Sequence, residues 1–237
     1  MTQPPQQTST ERFMTSRQMA WFRFRRNPSA IIGASIVISV IMLAIFAPIL
    51  APSPQSAGSF VDFAHRHHPP TAEFLFGTDN VGRDIFSRVI FGYRASLSLV
   101  VGVLGFAVPF GVTLGLLAGY FGGRTEFIIM RFTDVMLAIP PLAMALAITA
   151  VLSPSLVNAM IAITMLWWTW HTRLIFRIVK GQMSEDYVEA AKVAGASHAH
   201  IIFRELLPNC VSAISVKISL DAGFVILFGA ALSFLGL

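Results

Sequence analysis

The chain has 237 residues, of which 55% are hydrophobic and only 12% charged. A soluble domain usually has about a quarter of its residues charged, so the composition argues against a soluble enzyme and for a membrane protein. The single cysteine rules out an internal disulfide framework, and the basic residues behind the net charge of +5 flank apolar segments instead of forming one stripe, which argues against nucleic acid as a partner.

Residues 1–28 form a polar N-terminal segment with Arg12, Arg17, Arg23, Arg25 and Arg26 against one acid, Glu11. Ile31 to Leu50 carries no charge. Its length matches the roughly 20 helical residues that cross a bilayer core of about 30 Å. A signal peptide has a shorter apolar region, about 7–15 residues, nearer the start, so an uncleaved first span is expected. Residues 51–94 read as a loop, because Pro52, Pro54, Pro69 and Pro70 prevent one continuous helix. Its end, "GRDIFSRVIFGYR", places Ile85, Phe86, Val89, Ile90 and Tyr93 at helical spacing and predicts a short amphipathic helix in the membrane interface. Residues 29–94 thus form an N-terminal module. His65, His67 and His68 lie in this loop without a partnering cysteine, and no metal site is assigned to them.

Residues 95–237 read as a transmembrane domain. Ala95 to Tyr120 is uncharged and is the expected second span. Gly111, Gly115 and Gly119 recur every four residues along one face, a spacing that lets helix backbones approach closely. After the turn "FGGRTE" a third span runs from about Phe127 to Leu152, with a kink expected at "IPP", Ile139 to Pro141, either lining a pathway as broken helices do in transporters or serving packing alone. Ser153 to Ser155 separates it from a fourth span, Leu156 to Phe176. There "WWTWH", Trp167 to His171, reads as an aromatic belt at the cytoplasmic interface. A fifth span begins after Asn209 and runs to Leu237, and Cys210 reads as an inert buried thiol. Arg131 with Asp134, and Lys217 with Asp221, are possible intramembrane charge pairs at contact spacing on one helix face. Mutual neutralisation near the membrane ends is the plainer reading of both. The fold class is therefore all-α, a polytopic membrane protein with five transmembrane helices. Lys and Arg counts, with five of these residues between His171 and Asn209, place the N-terminus, the glycine turn and the stretch Glu185 to Asn209 in the cytoplasm.

The stretch "EDYVEAAKVAGASHAHIIFRELLPN", Glu185 to Asn209, is polar and helix-prone between two spans. Ser184 is placed to cap a first helix, Gly195 to interrupt it, Ser197 to cap a second and Pro208 to end that one. Two short helices at an angle form a lever on spans four and five. The stretch resembles the cytoplasmic coupling motif of bacterial ABC-importer permeases, matching at Glu189, Ala190, Ala191, Gly195, Leu207 and Pro208 and departing at Glu205, where the motif has isoleucine. "FGTDNVGRDIFSRVIFGYRASL", "GYFGG", "MRFTDVMLAIP" and "LSFLGL" look like the C-type subunit of the dipeptide/oligopeptide subfamily.

That resemblance implies six spans in the family, so a chain shortened by its last helix is expected. It implies a bacterial inner-membrane location. It also implies a second permease subunit, in a heterodimer, two cytoplasmic ATPases that bind ATP and magnesium, and an extracytoplasmic solute-binding protein. The chain itself binds no cofactor on this reading, in keeping with the lack of a G-x-x-x-x-G-K-[ST] loop. It is a transport subunit and not an enzyme. The cargo expected is dipeptides or oligopeptides, with nickel, opines, glutathione or sugars as alternatives. A stand-alone secondary transporter is disfavoured because the chain shows no repeated halves. An intramembrane enzyme is disfavoured because it has neither His-Glu-x-x-His nor Gly-x-Ser-x-Gly.

Overall fold

A computed structural model describes residues 16–152 and 155–234, and no strand occurs among them. Most of the Ser153–Ser155 break and the terminal Leu237 lie outside the described residues. The helices are α1 (Ser16–Arg26), α2 (Pro28–Leu50), α3 (Ile85–Phe121), α4 (Gly123–Leu137), α5 (Pro141–Val151), α6 (Leu156–Gln182), α7 (Asp186–Val193), α8 (His198–His200) and α9 (Leu207–Phe234). The chain divides into two compact units, Met1–Arg94 and Ala95–Leu237.

In the first unit α2 starts with Asn27 as its cap, whose side chain accepts from the Ala30 amide at 3.3 Å, and with Pro28 in the first turn. Only Ala44 and Ala47 of this helix are buried, as befits a helix whose apolar side chains meet lipid. The loop after it is closed by carboxylates. Asp84 Oδ2 accepts from the Ser87 amide (2.9 Å) and hydroxyl (2.5 Å), and the Ser87 hydroxyl accepts from the Ser53 amide at 3.0 Å. Asp79 accepts from the amides of Val81 and Arg83 and from Arg83 Nε at 2.8 Å. Burial pushes the Asp79 carboxyl up, but these donors outweigh it and hold the group below the usual carboxylate range.

The amphipathic helix expected at Ile85 to Tyr93 is not a separate element. It is the first part of α3, which runs unbroken for 37 residues, about 55 Å at 1.5 Å per residue. No proline interrupts the join, so the helical ladder simply continues.

In the second unit the expected kink in span three is a full break. α4 and the first part of α5 are bent by 81°. Two successive prolines, Pro140 and Pro141, remove two donors, and Ile139 before them is pushed out of helical geometry. By length and composition α2, α3 and His198–Phe234 each qualify as a membrane span, and the bent α4–α5 pair has the make-up of either a broken fourth span or a re-entrant loop. α6 is 27 residues long, enough to cross, yet it is less apolar than these. Ten of its residues are buried inside the unit, Trp167, Trp168 and His171 among them. A helix sheathed by protein is free to carry polar groups that a lipid-facing helix is not. The aromatic-belt reading of "WWTWH" fails for the same reason: Trp167 and Trp168 are core residues, packed with Phe228 and with Phe110 and Phe132.

Candidate functional site

The stretch between α6 and α9 is built as a short arm on a long rod. α7 carries Asp186 and Glu189 in its first turn, where negative charge suits the helix N-terminus. Ser184 does not cap it: its hydroxyl donates to the Gly181 carbonyl at 3.2 Å, and Glu185 stands at the cap position without a side-chain bond. At the other end the Gly195 amide donates to Lys192 O and the Ala196 amide to Ala191 O, each at 3.0 Å. Gly195 has φ +77°, the left-handed conformation that this double-bonded helix stop requires. Ser197 then caps α8, accepting from the His200 amide at 3.3 Å.

Pro208 does not end a helix here, contrary to the sequence expectation. His198–Phe234 is one continuous 37-residue rod. A proline inside a helix lacks a donor and crowds the carbonyl four residues earlier. The chain meets this with a π turn over Ile201–Leu206, in which the Leu207 amide reaches Ile202 O. Asn209 Nδ2 takes up the Glu205 carbonyl at 2.8 Å. The arm is thereby fixed to the end of α9 without a hinge at the proline.

Glu189, Ala190, Ala194 and Gly195 are exposed, and Val193 is 90% exposed. A Cβ added at Gly195 would meet nothing within 4 Å. The inner side is dry. Val188, Ile201, Ile202, Leu206 and Cys210 pack with Val112 and Leu116 of α3 and Ile175 and Val179 of α6, and the half-buried Ala191 and Leu207 lean on the same cluster. Pro208 is exposed. The base is tightened by Gly111, Gly115 and Gly119, which face α6. A Cβ at Gly115 would lie 2.7 Å from both Ile175 Cβ and Thr172 O, and one at Gly119 would lie 2.8 Å from Val179 Cβ. Tyr120 Oη lies 2.7 Å from His198 Nδ1, tying the end of α3 to α8.

The charged residues sort differently from their sequence spacing. Arg131 does not pair with Asp134; its guanidinium lies over the Phe127 ring, 5.4 Å from the centroid. Asp134 is bound by Arg173 of α6, which approaches from the neighbouring helix, and both side chains stay more than a third exposed. Lys217 does pair with Asp221. Asp221 is 1% exposed, and its second oxygen lies 3.3 Å from Nε2 of the fully buried His171, too poorly aligned for a hydrogen bond.

The match to known proteins covers both units. Residues 111–237 fit the family described as binding-protein-dependent transport system inner membrane component. Residues 15–70 fit the N-terminal transmembrane domain of oligopeptide transport permease C. The chain belongs to the binding-protein-dependent transport permeases. Within that family it is of the dipeptide/oligopeptide C type, a multi-pass permease subunit of an ATP-driven importer. It is 42% identical to a dipeptide transport system permease protein of Alkalihalophilus pseudofirmus, over 92% of this chain and 71% of that protein. It is 35% identical to an oligopeptide transport system permease protein of Bacillus subtilis, over 92% and 70%. A glutathione transport system permease protein of Pectobacterium atrosepticum is 36% identical, over 92% and 71%.

For a permease of this type the loop histidines play local parts. His65 Nδ1 lies 2.7 Å from Asp62 Oδ2, and His68 Nδ1 lies 3.0 Å from the Pro69 carbonyl. The bond to Asp62 raises the His65 pKa and the same bond lowers that of Asp62. Sequence reading missed His171 and Arg173 as charge partners. The signal was present, an imidazole and a guanidinium within a spanning length, but their partners lie 39 or more positions away on other helices.

Proposed function

We propose that this permease forms half of a translocation pathway and couples it to cytoplasmic ATPases through α7, Gly195 and α8. The observation that carries the reading is the arm-on-rod geometry: an exposed face of small side chains around Glu189, Ala190 and Gly195, a dry inner base, and a rod that continues into α9. A groove on an ATPase that grips the exposed face moves α9 directly, and moves α3 and α6 through the apolar base. Glu189 meets a basic or amide-donor site there. ATP and magnesium belong to that partner, since this chain has no phosphate-cradling loop. The partners are a second, different permease subunit, two ATPases and an extracytoplasmic binding protein. The N-terminus is cytoplasmic. The cargo is dipeptides or oligopeptides, and the relatives named for glutathione keep that small peptide within the same class.

Single cysteines at Val193 and Ser59 test coupling and orientation together, because native Cys210 is buried. Ser59→Cys reacts with an impermeant thiol reagent in intact cells and Val193→Cys does not. In purified complex Val193→Cys crosslinks to the ATPase. Reversed labelling, or crosslinking confined to lipid or to the permeases, contradicts the reading.

A further inference from the structure

Between α5, α6 and α9 lies a cavity of about 300 Å³, lined by Pro141, Trp167, Trp170, Lys217, Asp221, Phe224 and Phe228. That is the small end of the range for ligand sites, roughly 300–1,000 Å³. Its walls are aromatic: Trp167 makes edge contacts with Trp170 at 5.0 Å and with Phe228 at 5.2 Å. Its floor is ionic. An ionisable residue at membrane depth is costly and points to function. Among the described residues Trp167 Nε1 in its wall has no hydrogen-bond partner, and behind the cavity Asp221 Oδ2 faces His171 Nε2 at 3.3 Å. Buried donors are ordinarily satisfied, so the Trp167 indole is left for a ligand atom or a water. A larger cleft of about 560 Å³, with Phe106, Phe110, Phe132 and Met136 in its lining, carries no ionisable group.

Two numbers decide what the cavity takes. Asp221 is 1% exposed, whereas the Lys217 side chain is 28% exposed. The charge within reach of a solute is therefore the cation. An ammonium has three donors, and Lys217 gives one to Asp221 Oδ1, which leaves two. Lys217 also lies 5.9 Å from the Trp170 ring centroid, so it is held at the aromatic wall. His171 stands behind Asp221 on α6, with the Trp167 carbonyl 3.4 Å from its Nδ1.

We infer that this cavity is a binding station for the transported solute, in which Lys217 receives a carboxylate and Trp167, Trp170, Phe224 and Phe228 hold the apolar side chain next to it. Asp221 orients Lys217. The inference rests on the peptide reading above and deepens it, naming a free C-terminus behind an apolar residue as the recognised feature.

The test uses the assembled transporter with its ATPases and loaded binding protein. The probe is alanyl-p-benzoylphenylalanine, as free acid and as C-terminal amide, photolysed during turnover. The free acid crosslinks to Trp167–Trp170 or Phe224–Phe228, and the amide does so about tenfold less, the loss of one charge-assisted contact. Lys217→Met combined with Asp221→Asn removes both charges together and keeps the fold free of an unpaired ion; it lowers the acid's yield to that of the amide. Lys217→Arg retains the preference. Equal crosslinking of acid and amide, or a double variant that keeps the preference, overturns the inference. Uptake with crosslinks only elsewhere overturns the station and leaves the peptide reading intact, whereas uptake of neither peptide overturns both.

Discussion

The arm between α6 and α9 and the α5–α6–α9 interior invert each other. In the arm, Val193 and Phe203 are exposed at 90% and 59%, and the buried side is wholly apolar. In the interior, Asp221 and His171 are only 1% and 0% exposed, while Leu227, on the same helix as Asp221, is 65% exposed. Hydrophobic residues outside and charges inside make sense where the surroundings are lipid. Hydrophobic residues outside in a polar stretch between spans make sense where a protein surface covers them. The difference teaches that burial within one chain of a complex reports its surroundings as much as its own stability.

The largest effect that would break this contrast is at Asp221. Asp221→Ala leaves Lys217 without its counter-charge and destabilises the permease by about 3–5 kcal/mol. Thermal melting in detergent shows a large drop, and adding Lys217→Met restores most of it. Wild-type stability in the single variant would mean that the cluster is well hydrated and not an interior at all.

Next is the glycine face that joins the two regions. Gly115→Leu drives a side chain into Ile175 Cβ and the Thr172 carbonyl, backbone that cannot swing away. Overpacking of this kind costs about 1–3 kcal/mol and separates α3 from α6. Reduced assembly with the partner subunits is the expected readout, and unchanged assembly would place the face against lipid.

A small effect sharpens the comparison. Arg173→Gln breaks a pair whose members are 36% and 40% exposed, so it costs only about 0.2–1 kcal/mol. The ratio of the Asp221 and Arg173 effects measures how far the interior differs from the rim. Smallest is the loop pair Asp62–His65, on the surface. Asp62 raises the His65 pKa, so the bond's contribution is full below the ordinary histidine value of about 6.5 and is lost as pH rises through the elevated one. In Asp62→Asn, the His65 resonance by NMR titrates at lower pH; an unchanged midpoint would contradict the pair.

Much of this was legible in the sequence, for physical reasons that can be named. α2 and the bulk of α3 were read from uncharged length, and the Gly195 stop from glycine's access to positive φ. Lys217 and Asp221 were read as a pair because their partners lie on one helix. What was not legible depends on other helices or on compensation. Arg173 outcompetes Arg131 for Asp134 from across a helix interface. The π turn lets a rod pass through Pro208, where the local rule says stop. Trp167 and Trp168 look interfacial by type and are core by position, since only the packing of α6 against α3, α4 and α9 decides it.

Coupling itself is tested by substrate-stimulated ATP hydrolysis of reconstituted complex carrying Gly195→Asn or Glu189→Lys. Asparagine tolerates the left-handed backbone and meets open space in this chain, so Gly195→Asn leaves folding and insertion intact and adds bulk only toward a partner. Glu189→Lys reverses an exposed charge whose partner contact is worth about 1.5–3 kcal/mol. Both variants are expected to lose most of the stimulation, or to release the ATPase on purification, while the permease melts as the wild type does. Full stimulation with a full complement of ATPase in both would contradict the assignment of this arm as the coupling lever.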